Sequence, residues 1–304
     1  MKDQAESLRR VMEEQAHVRA LLQPGDNLPS SRVVAIASGK GGVGKSNFCV
    51  NLALGLVQAG RRPVILDADM GFANIELLLG VQPKYTLLDL LAGKDIWDVV
   101  QESPVGVPFI SAGNGLAMSH SLTVAEMNRL AVEMQKLQER FDLVLLDIGG
   151  GNGGNLGYLL AEVDELIVVT TPEPTSIADA YALLKMLRFG SGLSPTRLVI
   201  NRVHSFSEAR VAADKLRLAV ERFLDTKIEI LGYILEDSSV PDAVMRQKVL
   251  LSLHPGSPSA QCIRQLVHNY LNVDVPLRSG FGGFLERWLL RLRAGGGVYS
   301  RSER

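Results

Sequence analysis

Gly39-Lys40-Gly41-Gly42-Val43-Gly44-Lys45-Ser46 directly follows the apolar run Val33-Val34-Ala35-Ile36-Ala37-Ser38 and precedes a helical pattern beginning at Asn47. The order is strand, glycine loop, helix. In that setting a G-x-x-x-x-G-K-[ST] match becomes a phosphate cradle, because glycines let backbone N–H groups curl round β- and γ-phosphates at a helix N-terminus. Lys45 then reaches the β/γ oxygens, Ser46 holds Mg²⁺, and Gly39 to Asn47 form the nucleotide loop. An ordinary tight turn is the bland alternative, but every fixed position of the pattern is met.

Working outward, the 304 residues with 46% hydrophobic content can bury a full core in one large domain with appendages. No apolar run approaches the roughly 18 residues needed to span a bilayer. Asp3, Glu6, Glu13 and Glu14 interrupt the start of the chain, so a secretory leader is not expected. Cys49 and Cys262 stand far apart, as buried thiols of a reducing cytosol do, and not in the cluster an iron–sulfur centre needs. Net charge is −1. From Arg278 onward there are six arginines against Glu286 and Glu303, leaving the remainder acidic, so specific nucleic-acid binding is not expected.

Further strands are read at Pro63–Asp69, Val107–Ile110, Phe141–Asp147, Glu165–Thr170, Leu198–Arg202 and Ile228–Ile234. Helical stretches lie between them, including Phe48–Ala59, Leu87–Leu91, one opened by the capping box Thr123-Val124-Ala125-Glu126, and one opened by Ser205 to Glu208. Seven alternations predict an α/β fold: a doubly wound, mostly parallel sheet with helices on both faces. In such a sheet the strand carboxyl ends face the ligand crevice, so Asp67 and Asp69 point at the metal and phosphate region, and Asp147 occupies the position that holds Mg²⁺.

A lysine just after the first glycine, here Lys40, resembles the deviant phosphate loop of the MinD/ParA ATPases, a likeness covering about residues 32–270. The segments Asp67-Ala68-Asp69-Met70-Gly71-Phe72-Ala73-Asn74, Gly149-Gly150-Gly151 and Thr171-Pro172-Glu173-Pro174-Thr175 are similar to further motifs of that family. The resemblance implies ATP with Mg²⁺, an ATP-dependent homodimer in which Lys40 touches the partner's nucleotide, and slow hydrolysis. It implies Asp69 as the water-positioning catalytic residue beside Lys40 and Lys45, and Ser46, Asp67 and Asp147 about the metal. It also places Gly151 near the γ-phosphate, Asn201 over an adenine base and Glu236-Asp237 closing the base pocket. Asp3-Gln4-Ala5-Glu6-Ser7-Leu8-Arg9 resembles the DQAxxLR motif of the family's flagellar-number regulators, the FlhG (YlxH/FleN) group. There Asp3, Gln4, Ala5, Leu8 and Arg9 would stimulate an FlhF-type signal-recognition-particle GTPase. A solvated helical leader is the plain alternative.

The expected organisation is an N-terminal helix over 1–22, a linker over 23–31, an ATPase domain over 32–275, an amphipathic helix over 280–294 and a tail over 295–304. Phe281, Phe284, Leu285, Trp288, Leu289 and Leu292 fall on one face of that helix, flanked by arginines. Such a face suits either an interfacial membrane helix or a helix docked on its own domain. The sequence therefore points to an ATP-switched regulator of flagellar number and placement, cytoplasmic and reversibly at the inner face of the membrane, engaging basal-body (C-ring) proteins. A septum-site or partition ATPase is the first alternative. An ATP-dependent metabolic enzyme is the second.

Overall fold

The computed structural model describes residues 30–68, 74–111, 113, 123–149, 154–190, 192–273 and 280–296. Its strands are β1 (Arg32–Ala37), β2 (Pro63–Asp67), β3 (Gln101–Glu102), β4 (Pro108–Ile110), β5 (Leu143–Asp147), β6 (Glu165–Thr170), β7 (Thr196–Val203) and β8 (Glu229–Leu235). They form one sheet of order β3-β4-β2-β5-β1-β6-β7-β8. Every pair is parallel except β3 with β4. The doubly wound sheet expected from the sequence is the one observed. Its central strands are near-continuous runs of valine, isoleucine and leucine because both faces are covered, and parallel neighbours force a crossover between each pair.

The helices are α1 (Lys45–Gln58), α2 (Ile75–Leu79), α3 (Leu87–Leu91), α4 (Ile96–Val99), α5 (Val124–Gln135), α6 (Gly154–Glu162), α7 (Pro174–Phe189), α8 (Phe206–Leu224), α9 (Ser239–Met245), α10 (Leu250–Leu253), α11 (Pro258–Asn272) and α12 (Gly280–Gly296). One core joins α1, α10 and α11 to one sheet face. A second joins α5, α7, α8 and the start of α12 to the other. Thr123 and Glu126 form the reciprocal cap of α5, and Ser205 accepts from the Glu208 amide at the start of α8, as the capping pattern predicted. Strand β3 and helices α4 and α9 to α11 were not read from the sequence. The first four are too short to establish a period, whereas α11 begins with a Ser257 cap and Pro258 at its first turn, a signal that was present.

Ser31, the last residue of the expected linker, is packed into the domain: it is fully buried, its hydroxyl donates to the Phe141 carbonyl at 2.6 Å, and its own carbonyl accepts from the Phe281 amide at 2.8 Å. The tail helix is likewise not free-standing. Phe281, Phe284 and Leu285 are buried in the second core, the two phenylalanine rings stack in series with Trp288, and the helix packs against α5, α6 and β1. Its root is fixed by buried acceptors. Asp164 takes the Val33 and Gly280 amides at 2.9 and 3.2 Å, and Arg287 pairs with Glu162. The sequence pattern could not separate a lipid-facing stripe from this docked one, because both require the same apolar periodicity. The side chains of Leu289 and Leu292 lie outside the described residues, as do those of Asp3, Gln4, Ala5, Leu8 and Arg9 with the whole N-terminal motif. No described helix is long and apolar enough to cross a membrane.

Candidate nucleotide site

Because β1, β2, β5, β6, β7 and β8 run in parallel, their carboxyl ends form one edge of the sheet. The glycine loop leaves β1 there and enters α1 through Gly44, whose φ of 88° is the left-handed conformation that glycine adopts without strain. No side chain caps α1, so its first backbone N–H groups remain available to an anion, with the helix dipole behind them. Gly39 lies so close to the first turns of α7 that a Cβ would collide with the Asp179 carbonyl group. The loop is thereby wedged between its own strand and α7. On the other side the Asn201 amide, from β7, donates to the Val43 carbonyl at 2.8 Å, and a side chain at Gly44 would run into it.

Beneath the loop the charged groups converge. The Lys45 ammonium is 2.6 Å from Asp147 Oδ1 and 3.1 Å from Ser46 Oγ, with both charged partners buried. Asp147 stands level with Asp67 across the β2–β5 ladder and with Ile36 across β1–β5. Asp67 is itself buried and accepts from the Ile75 amide at 3.3 Å, which orients it from the start of α2. Removing either member of such a buried pair leaves an uncompensated charge. The ammonium therefore holds the place from which it can turn to phosphate oxygens, with Asp147 and Ser46 on it and Asp67 on the neighbouring strand. One turn on, burial pushes the Cys49 thiol up, helped by the Asp147 carboxylate, so it stays protonated and inert. Asn47 lies on the first turn of α1, where its carbonyl takes the Asn51 amide at 2.8 Å.

Lys40 points elsewhere. Its ammonium lies 3.4 Å from Glu173 and 3.3 Å from Thr175 Oγ1 of the same chain, on the exposed rim at the start of α7. An exposed pair of this kind contributes little stability, so the lysine is held loosely. Glu236 at the end of β8 accepts from the Arg202 guanidinium at 2.9 Å, which holds Arg202 further above its ordinary range, and Asn201 Oδ1 accepts from the Arg202 amide. Arg202 adopts a φ of 60°, uncommon for a side chain of that size. The structure thus brings Gly39, Gly41, Gly42, Val43, Gly44, Lys45, Ser46, Asn47, Asp67, Asp147, Asn201 and Glu236 to one edge. Asp69 and Gly151 lie outside the described residues. Glu173, Thr175 and Arg202 carried no role in the sequence reading. Their partners are far away along the chain, and nothing in spacing could have joined them.

Comparison with known proteins agrees with the fold. A family model for ParA, described as the NUBPL iron-transfer P-loop NTPase, matches residues 30–267. The antiactivator FleN of Pseudomonas aeruginosa is 36% identical over 263 residues, 86% of this chain and 93% of that protein. The flagellum site-determining protein YlxH of Helicobacter pylori is 30% identical over 272 residues, 87% of this chain and 92% of its own length. The solved structure of the septum site-determining protein MinD complexed with Mg-ADP, from Pyrococcus horikoshii, superposes with a TM-score of 0.62 at 23% identity, over 80% of this chain and 96% of that one. The chain belongs to the ParA/MinD family of P-loop NTPases.

Proposed function

We propose that this protein is an ATP-switched regulator of flagellar number and placement that dimerises around Mg·ATP, associates with the inner face of the membrane and resets by slow hydrolysis. The observation that carries the nucleotide half is the Lys45–Asp147 pair beneath an uncapped helix N-terminus. The residues there fit the group: Ser46 Oγ and the Asp147 and Asp67 carboxylates are hard oxygen donors of the kind Mg²⁺ prefers. When bound, the cation would neutralise charge building on the phosphates. Lys45 turns from Asp147 to the β/γ oxygens, the loop amides from Gly41 to Ser46 hold the phosphates, and Asn201 and Glu236 border the base. Asp69 is assigned the positioning of the attacking water, and Gly151 the flank of the γ-phosphate. Lys40, loosely held by Glu173 and Thr175, is free to cross to a second subunit.

The flagellar half is supported by the likeness to FleN and YlxH and by the Asp3 to Arg9 motif, which is assigned the stimulation of an FlhF-type GTPase. Basal-body proteins are the further partners. Membrane association requires α12 to leave its groove and present Phe281, Phe284, Leu285, Trp288, Leu289 and Leu292 to lipid. GTP turnover by an FlhF-type GTPase should rise with the full chain and not with the chain lacking residues 2–22. Equal stimulation by both would remove the N-terminal assignment. Asp69→Ala should bind ATP with little hydrolysis, whereas wild-type turnover by that variant would remove the catalytic one.

A further inference from the structure

The edge of the sheet opposite the nucleotide site, its foot, collects apolar side chains that the core does not use. Helices α7, α8 and α11 run back from the nucleotide edge and end at the foot, and each carries an exposed large apolar residue at or beside its end. Phe189 is the last residue of α7 and is 67% exposed. Phe223, next to last in α8, is 63% exposed. At the end of α11, Leu271 and Val273 are 38% and 43% exposed. The first two are preceded by arginines. Arg188 donates to the Leu224 carbonyl at 3.0 Å, tying the two helix ends together, and the Arg222 guanidinium lies 5.5 Å from the Phe223 ring centre. The root of α12 is at this same edge, held by Ser31 and Asp164 at the start of β1 and β6.

We propose that this foot is a second lipid-contact surface, in which Phe189 and Phe223 enter the headgroup region of an anionic membrane while Arg188 and Arg222 meet its phosphates. The proposal rests on the membrane association proposed above. Phenylalanine side chains on the apolar side of a surface-bound element, with arginines flanking them, enter the boundary between headgroups and acyl chains. Basic side chains near an anionic leaflet add attraction that salt removes. Three helix ends that carry exposed apolar residues at one edge of the sheet offer a surface wider than any single groove. A tail helix rooted at that edge would lay the foot against whatever surface it enters.

The test is flotation of the full-length protein with Mg·ATP on phosphatidylcholine vesicles with and without phosphatidylglycerol, comparing wild type, Phe189→Ser/Phe223→Ser, Arg222→Glu and Trp288→Glu. The serine pair is expected to weaken binding on the order of tenfold per ring, without changing ATP turnover or the thermal midpoint. Arg222→Glu should weaken binding only on vesicles containing phosphatidylglycerol. If wild type floats and the serine pair floats equally well, the foot is not a lipid surface, although the tail assignment stands when Trp288→Glu fails to float. If wild type does not float, both assignments fall. Unchanged flotation with loss of self-association in the serine pair would make the foot a protein contact and overturn the proposal.

Discussion

At the nucleotide edge, Lys45, Ser46 and the loop amides come from eight consecutive residues, and Asp67 and Asp147 from the last positions of two strands. At the foot, the comparable cluster of buried charge is assembled from four distant elements. Glu165 starts β6 and lies 2.8 Å from the Arg197 guanidinium of β7 and 3.9 Å from that of Arg32 on β1, with the Tyr270 ring of α11 over Arg197 at 5.2 Å. Both sets are buried and ionisable. They differ in what keeps them. The upper set is spaced by the backbone of one loop and by the register of two paired strands that end in aspartate, both of them local patterns. The lower set depends on the packing of four elements, and holds the foot on which the tail is rooted.

Breaking the upper set should have the largest effect. Lys45→Gln is expected to abolish nucleotide binding and, by leaving Asp147 buried without its ammonium, to destabilise the fold by about 3–5 kcal/mol. Adding Asp147→Asn should restore much of that stability and none of the binding. Thermal denaturation and nucleotide titration of the three variants separate the two effects. Failure of the second substitution to recover stability would mean that the pair is not what holds this edge.

The next effect is at the tail root. Asp164→Ala removes the acceptor of two buried amides, a loss of about 2–4 kcal/mol. It should also expose Trp288 and shift its fluorescence to the red. ATP affinity should stay within about threefold, because changes at well-separated sites are close to additive. A large fall in affinity would show that foot and nucleotide edge are not the separate regions drawn here.

A smaller effect concerns pH. Burial raises the Glu165 carboxyl to about 7, against the attraction of Arg197 and Arg32, with Glu229 and Asp164 adding to the rise. Tyr270 faces it from α11, and burial pushes its phenol up as well. Because the folded state holds the Glu165 proton more tightly than the unfolded chain does, this group favours folding at low pH. Its contribution declines between about pH 4.5 and 7 and is level above. Glu165→Gln should flatten that slope, by about 1–3 kcal/mol between pH 5 and 8. Denaturant midpoints at the two pH values would measure it, and an unchanged slope would place the titration elsewhere.

The contrast also explains what could be read in advance. The sheet, the loop and the positions of Ser46, Asp67 and Asp147 were legible because strand runs and glycine spacing are local patterns. The parking of Lys40 on Glu173, the Arg202–Glu236 pair and the Glu165 cluster were not, since each joins residues that only the fold makes neighbours. The tail fell between. Phe281, Phe284, Leu285 and Trp288 of the stripe expected over Phe281 to Leu292 pack on the second core, but periodicity reports an apolar face without saying whether protein or lipid covers it. The Asp164 and Ser31 contacts that root it in the domain have no sequence signature.

The smallest effect in stability, Lys40, decides most about the switch. Its pair with Glu173 is exposed, so Lys40→Ala should move the thermal midpoint little, by no more than about 0.5 kcal/mol. The most direct measurement is light scattering of wild type and Lys40→Ala with saturating Mg·ATP, beside an ATP affinity for each. Wild type should form a dimer, and Lys40→Ala should remain a monomer that still binds ATP through Lys45 and the loop amides. A normal ATP dimer in Lys40→Ala, or a wild type that stays monomeric with ATP bound, would contradict the proposal that this site is a dimer switch.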